Sequence, residues 1–595
     1  MNSKTNIPGK DSPLENTLAL AEKTLHNLGI QLTETSCLNP VPDCWSVHLQ
    51  TPSCPTLYTN GKGITKLAST ASGVGEFIER LATDFFFSEY FIDENREDDP
   101  SEQFVFYPDE LWFPPASTTT DLVDYTHSQT GTKLLNSELF KFYDPEGELQ
   151  AEDLHDNNTN FSDRGICTLP FTNVENASLC YFPVSLLNNL YVSNGMAAGN
   201  SPSESTSQAL SEIIERYVKN TVITGGLSLP LIPDTSLEEF PHLLRIRDDI
   251  EEHGFTVTIH DSSLGGQFPV ICVILIDNNN AGVYAAFGAN CRFEIAIERT
   301  LTELLQGRRL DQLREFNHPV HNIEIVADPY NLEKHFIDSD GLLSWSMFAD
   351  KPDFPFTPWS FSGSTQEEEQ QLKNIITRDG FTIYLREYLH CGLYCCRIII
   401  PGMSEIYPLE DLIWNNRNKG AQLRPLILQL PTMNDTQLLN VLDLIEELEL
   451  DDQQLLSHLI GIIFDKGSNW DTLRIGELKA HIYLALKEYN SAGQWCNWVV
   501  DYGVVDGPRK RIFNIISTLS QLQEKDGSID LYHNGLRRFY TETELETGAQ
   551  VINGSQQFIG LRFALSWSDL STKHRQLLNV YNSLKKAKAG LVPAP

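Results

Sequence analysis

Positive charge is what this sequence has least of for its size. Its 44 lysines and arginines face 80 aspartates and glutamates, a formal net charge of −36 over 595 residues. A groove for nucleic acid draws its affinity from neutralising phosphates, so none is expected here. An acidic surface otherwise implies only solubility. No apolar run approaches the roughly 18 residues that cross a bilayer; the longest, such as Phe268 to Ile276, suit buried strands. The start, Met1 to Glu15, is polar and has no apolar core segment, so no secretory leader is expected. The eleven cysteines are scattered and no pair has CxxC spacing. Cys391, Cys395 and Cys396 cluster in a stretch rich in β-branched and aromatic residues, where reduced core thiols are a better reading than metal ligands. A reducing cytoplasm follows. There is no GxxxxGK[ST] phosphate loop, and Gly73-x-Gly75 lies within a helical pattern rather than after a strand, so it is no dinucleotide fingerprint. HExxH and GxSxG are also missing.

One motif is present twice. Gly75-Glu76-Phe77-Ile78-Glu79-Arg80 returns as Ser211-Glu212-Ile213-Ile214-Glu215-Arg216, each behind an Asn-Gly pair, Asn60-Gly61 and Asn194-Gly195, expected as turns. On a helix the two carboxylates at i and i+3 and the arginine at i+4 share roughly one face. Such a face is commonplace on a solvated helix. Two copies suggest instead that similar helices meet across one site. Their carboxylates then need cations between them, and a divalent metal with a polyanion supplies both those cations and a partner for the arginines. Around the second copy, Glu204, Gln208, Glu212 and Glu215 or Arg216 follow at steps of three or four, a polar rail along about three turns. The loop Asn194 to Asn200 before it is built of small residues, which let backbone N–H groups approach a ligand. A third helix, Glu294 to Gln306, adds Arg299 and Glu303 at i and i+4.

The first ~410 residues mix both periodicities. Strands are expected at Trp45–Leu49, Pro269–Asp277 and up to Pro401, and helices at Lys66–Arg80 and Ser203–Asn220. The charged stretches Asp93–Glu102 and Pro145–Asp163 read as long loops. From Thr432 onward the patterns are nearly all helical, and Tyr483–Val500 has the spacing of a helical hairpin. The expectation is α+β: a mixed-sheet region over 1–412, a linker over 413–433, and an all-α, tetratricopeptide-like domain over 434–595.

At these residues the chain resembles the YcaO family. The family's ATP site is built from SxxxExxER-like helices and a later RxxxE helix, present here as Gln208 to Arg216 and as Arg299-Thr300-Leu301-Thr302-Glu303. The resemblance to the stand-alone, enteric-type members also covers Ile7–Asp11, Leu38–Pro42, Thr59–Gly63, Asp163–Cys167, Leu190–Met196, Ser263–Gln267, Pro401–Ser404 and Leu473–Lys479. It implies Mg2+ on Glu76, Glu79, Glu212, Glu215 and Glu303. It implies ATP at Lys10, Thr17, Ala197, Asn200, Glu204, Gln208, Arg216 and Arg299. Ala197 stands where those relatives carry serine, which leaves only its backbone to contact a ligand.

Family members use ATP to phosphorylate an amide-derived oxyanion. The enteric-type members are tied to β-methylthiolation of an aspartate in small-subunit ribosomal protein twelve, as accessory to a radical-SAM methylthiotransferase, and a homodimer is implied. Azoline-forming relatives tend to end in PxPxP; this chain ends Val592-Pro593-Ala594-Pro595, which weighs against a peptide cyclodehydratase. Three readings remain beside the methylthiolation role. They are a cyclodehydratase or thioamide-forming enzyme, a nucleotide-switched adaptor without turnover, and a metal hydrolase without nucleotide. No general base stands out; His260 and His390 qualify only by residue type.

Overall fold

The computed structural model describes residues 4–94, 104–114, 122, 126–127, 130–160, 164–313, 316–526 and 528–590. Most of the charged stretch 93–102, residues 161–163 of the acidic loop and the terminal Val592–Pro595 lie outside them. After α1 (Leu14–Asn27), the strands β1 (Thr33–Val41), β2 (Cys44–Thr51) and β3 (Cys54–Gly63) form an antiparallel meander that feeds α2 (Lys66–Ala82). A second meander, β8 (Phe255–Asp261), β9 (Val270–Asp277) and β10 (Val283–Ala289), has the order β10-β9-β8 and feeds helix α4 (Phe293–Leu304). A third sheet has six strands: β4 (Leu111–Phe113), β5 (Ile166–Asn173), β11 (Tyr384–Tyr388), β12 (Tyr394–Ile399) and β7 (Met196–Gly199) in that order, with β6 (Leu179–Pro183) on β5. Helix α3 (Pro202–Gly225) follows β7, and α5 (Thr365–Arg378) packs beside it. Sheets and helices are mixed as expected, and the ladders run antiparallel.

The helices form where capping and periodicity agree. The Thr65 side chain accepts from the Ala68 N–H at the start of α2, and Ser201 does the same for Glu204 at the start of α3, with Pro202 at the first helical position. The apolar side of α3, Leu210, Ile213, Ile214, Val218 and Val222, is fully buried on the sheets. Each such side chain is worth about 1.5–3 kcal/mol of burial, so Ile214→Ala is the kind of change that loosens this helix.

The two Asn-Gly pairs differ. Asn194-Gly195 is a turn with Gly195 at φ +78°. Asn60-Gly61 is no turn; it lies inside β3. A Cβ at Gly61 would stand 1.9 Å from the Ser69 carbonyl oxygen and 2.4 Å from Gly73 N, so the glycine is there because α2 crosses β3 almost backbone to backbone.

Beyond Ile399 the regular elements among the described residues are helices, apart from a single bridge between Leu455 and Arg474. The principal ones are α6 (Asp435–Glu447), α7 (Ile475–Leu486), α8 (Tyr489–Tyr502), α9 (Gly507–Asp526), α10 (Glu542–Ile552) and α11 (Thr572–Ala589). Within 413–433, Leu423, Ile427 and Leu430 are buried in the same apolar cluster as α6 and α7.

Two buried cations fasten this helical region to the segments around Asp84, Phe106, Asn157 and Thr159. The Lys588 ammonium, fully buried, donates to both Asp84 oxygens at 2.5 Å and to the Phe106 carbonyl at 2.9 Å, and lies 4.1 Å from the Tyr107 ring centre. Asp84 stands just past the end of α2 with φ +59°. Arg424, 1% exposed, donates to the carbonyls of Ile460, Thr159 and Asn157 and to Asn157 Oδ1 at 2.6–2.9 Å.

The eleven cysteines are free thiols and, Cys37 apart, buried. No helix among the described residues is long and apolar enough to cross a membrane.

Candidate functional site: a carboxylate and guanidinium cleft

The repeated motif repeats in three dimensions. On α2, Glu76 pairs with Arg80 at 2.5 Å, and the Arg80 guanidinium lies 5.2 Å from the Phe85 ring centre. On α3, Glu212 pairs with Arg216 at 3.4 Å, and that guanidinium lies 4.6 Å from the Phe336 ring centre. In both copies the arginine Nε–H is buried without an acceptor. The acidic groups of the two helices feel one another. Burial first, then the charges of Glu212 and Glu76, raise the Glu79 carboxyl well above its ordinary range. Burial also raises Glu76 and Glu212, against the pull of Arg80 and Arg216.

Helix α4 closes the other side. Arg299 Nη1 donates to Gln208 Oε1 on α3 at 2.8 Å, and Glu303 meets the Lys62 ammonium, which projects from β3. The Ala289 N–H at the end of β10 donates to Glu215 Oε2 at 3.2 Å. Burial and Arg299 push Lys62 down to about 8, while Glu215 and Glu76 pull it back up.

Further along α3, the first-turn Glu204 is buried and collects donors. Lys10 Nζ lies at 3.1 Å, Asn200 Nδ2 donates at 3.0 and 3.1 Å, and the Asp11 N–H donates at 2.9 Å. Thr17 Oγ1 donates to Asn200 Oδ1 at 2.7 Å. The N-terminal segment is thereby tied to the start of α3, where a carboxylate also suits the helix dipole.

Thus Lys10, Thr17, Asn200 and Glu204 form one linked group, Gln208 and Arg299 a second, and the glutamates a third, all along α3. Ala197 is not among them. It is fully buried in β7 opposite Cys396, and its carbonyl accepts from Ser205 Oγ at 3.0 Å. The two histidines considered as bases also lie elsewhere. His260 bonds to Thr258 at 2.8 Å and to the Leu229 carbonyl at 3.2 Å, and His390 packs on Tyr107.

Two neighbours of the site, Lys62 and Glu298, were not singled out from the sequence, and Arg80 was named there only in the repeated motif and not among the nucleotide-binding residues. The repeat itself points to Arg80. Glu298, raised to about 7 by burial and then by Glu294, belongs to a third Ile-Glu-Arg triplet. Ile297-Glu298-Arg299 matches Ile78-Glu79-Arg80 and Ile214-Glu215-Arg216, and this was the available signal. Lys62 has a weaker one, a lone base directly after Asn60-Gly61.

Residues 60–404 match the family described as YcaO cyclodehydratase, ATP- and Mg2+-binding, and residues 420–590 match the YcaO cyclodehydratase C-terminal domain. The chain belongs to the YcaO family. It is 42% identical over 592 residues, 99% of both chains, to the ribosomal protein S12 methylthiotransferase accessory factor YcaO of Escherichia coli strain K12. It is 39% identical over 596 residues, again 99% of both, to an uncharacterized protein of Haemophilus influenzae. A solved structure of YcaO from Methanopyrus kandleri bound with AMPPCP and Mg2+ aligns with 68% of this chain and 95% of its own, at 14% identity and a TM-score of 0.40.

ATP and Mg2+ are the ligands of the family, and the residues of the cleft fit them chemically. Carboxylate oxygens are the hard donors that Mg2+ takes. Guanidinium and ammonium groups match phosphate, and the buried Nε–H groups of Arg80 and Arg216 have no acceptor within the protein. A finished ligand shell is absent, however. Among the described residues, no three acidic, histidine or cysteine side chains stand close enough to hold a metal ion. The reason is visible in the pairs: Glu76, Glu212 and Glu303 are each turned onto a cation of the protein itself.

Proposed function

We propose that the cleft binds ATP with Mg2+ and that the chain assists β-methylthiolation of an aspartate in ribosomal protein S12, beside a radical-SAM methylthiotransferase. Bound ATP would supply a phosphoryl group to an amide-derived oxyanion. The observation that carries this reading is the doubled Glu–Arg pair with a spare Nε–H on each arginine. The likeness to the Escherichia coli accessory factor supports the partner assignment. In this reading residues 1–412 hold the nucleotide, 413–433 connect, and the helical 434–595 serve partners, a second copy included. Glu76, Glu79, Glu212, Glu215 and Glu303 hold the metal, and Lys10, Thr17, Asn200, Glu204, Gln208, Arg216 and Arg299 hold the nucleotide. Ala197 contributes backbone alone.

The side chains work by changing partners. The carboxylates now paired with Arg80, Arg216 and Lys62 would hold the metal, and the guanidinium groups of Arg80 and Arg216 would then be free for phosphate. A cation and a polyanion that enter together leave the charge of the cleft little changed. Phosphoryl transfer asks for this kind of positioning and neutralisation.

The test is thermal unfolding with a non-hydrolysable ATP analogue, with and without Mg2+, followed by ADP release with and without S12. Mg2+-dependent protection and S12-stimulated ADP release are expected. No protection by the nucleotide would return the cleft to a metal-only hydrolase. A nucleotide-switched adaptor is the second reading, favoured by the relative's description as an accessory factor. Binding of S12 without ADP release would select it.

A further inference from the structure

Among the described residues Lys62 is the one cation of the cleft supplied by a strand, and its backbone is held from two sides. Next to it, Gly61 is locked against Ser69 and Gly73 of α2. On the other flank, Gln306 Nε2, just past α4, donates to the Asn60 carbonyl, and the Gly307 N–H donates to Ser46 Oγ on β2 at 2.8 Å, with Ser46 opposite Lys62 in the ladder. The ammonium therefore reaches its position by side-chain reach alone and leaves it the same way. At that position it contacts Glu303 of α4 and feels the charges of Glu76 of α2 and Glu215 of α3. These are carboxylates from three helices, all assigned to Mg2+ in the proposed function.

We infer that Lys62 is a tethered stand-in for the metal, which neutralises Glu303 and its neighbours in the nucleotide-free protein and has to swing away before Mg2+ takes their oxygens. The inference rests on the proposed metal role of these glutamates. It explains why the carboxylates are gathered without forming a ligand shell. Five acidic groups in one cleft repel one another unless something positive sits among them. The arginines at i+4 answer only their own helices. Lys62 answers across helices, as a metal ion does. Occupancy by the ammonium and by the metal are then mutually exclusive, so each weakens the other by the same factor.

The test uses the full chain at neutral pH, with Mg2+ titrated against a constant concentration of a non-hydrolysable ATP analogue and the unfolding midpoint as readout. Lys62→Met and Lys62→Gln should reach half-maximal stabilisation at about fivefold lower free Mg2+ than the wild type, the effect of losing a partly exposed competing ion pair. Both should have a lower midpoint than the wild type in EDTA, and Lys62→Arg, which keeps the charge, should stay near the wild type in both measurements. Lys62→Gln carries the same expectation should Lys62→Met not fold. An unchanged Mg2+ midpoint in these variants, while Glu303→Gln abolishes the response, would overturn the stand-in role and leave the metal site standing. A need for more Mg2+ would overturn it too, by making Lys62 a helper. No response to Mg2+ in the wild type would remove the metal site and this inference together.

Discussion

The cations of the cleft and those of the helical junction are the same residue types in opposite circumstances. Lys588 and Arg424 are fully enclosed, and their donors are committed to fixed oxygens of the fold. Arg80 and Arg216 keep 30% and 23% of their side-chain surface exposed, face one carboxylate each and have a donor to spare. A buried charge with committed partners can only hold the structure together, because removing either partner strands the other. A half-exposed charge with an idle donor can change partners. Burial and unspent hydrogen-bonding capacity together set Lys588 and Arg424 apart from Arg80 and Arg216, which charge alone does not.

The largest expected effect lies in the cleft. Arg299→Ala should lower ATP turnover by about 10³-fold, as for other phosphate-clamping arginines, with little change in the thermal midpoint. A large loss of stability with turnover intact would move Arg299 to the structural side of the comparison. Next comes the junction. Lys588→Met should cost about 3 kcal/mol of unfolding free energy by denaturant titration, because it leaves Asp84 buried and unpaired, while affinity of the folded protein for a non-hydrolysable ATP analogue stays unchanged. Asp84→Asn combined with Lys588→Met should cost less than Lys588→Met alone.

The smallest effect is a pH slope. Burial, aided by Arg424, holds His574 at about 3, and burial with Lys588 and Arg386 does the same to His390. Both are neutral in the folded chain and take a proton in the unfolded chain below their ordinary value of 6.5. The unfolded state then binds more protons, so stability is full above about pH 6.5 and is lost as the pH falls toward 3. His574→Gln should flatten that slope by about 1 kcal/mol per pH unit near pH 5, measured as the denaturation free energy between pH 7.5 and 5.

What could be read in the sequence was what repeats locally. The helices that bear Glu76, Glu212 and Arg299 were legible because their apolar residues recur at helical spacing, and they run from Lys66 to Ala82, Pro202 to Gly225 and Phe293 to Leu304. Asn60-Gly61 was misread as a turn because one dipeptide serves two purposes, and only the approach of Ser69 and Gly73 tells them apart. The pairing of Lys62 with Glu303 joins a strand to a helix far along the chain, and no periodicity reports such a meeting. Lys588 and Asp84 lie 504 positions apart.

That last separation sets a timetable for the newborn chain. Domains usually fold as they leave the ribosome, early segments first. Helix α2 and its carboxylates are made early, yet Asp84 at its end waits for Lys588 until almost everything between them has been translated. Until then Asp84 lacks the cation that pairs with it in the finished protein, so the end of α2 receives this support only once helix α11 has been made.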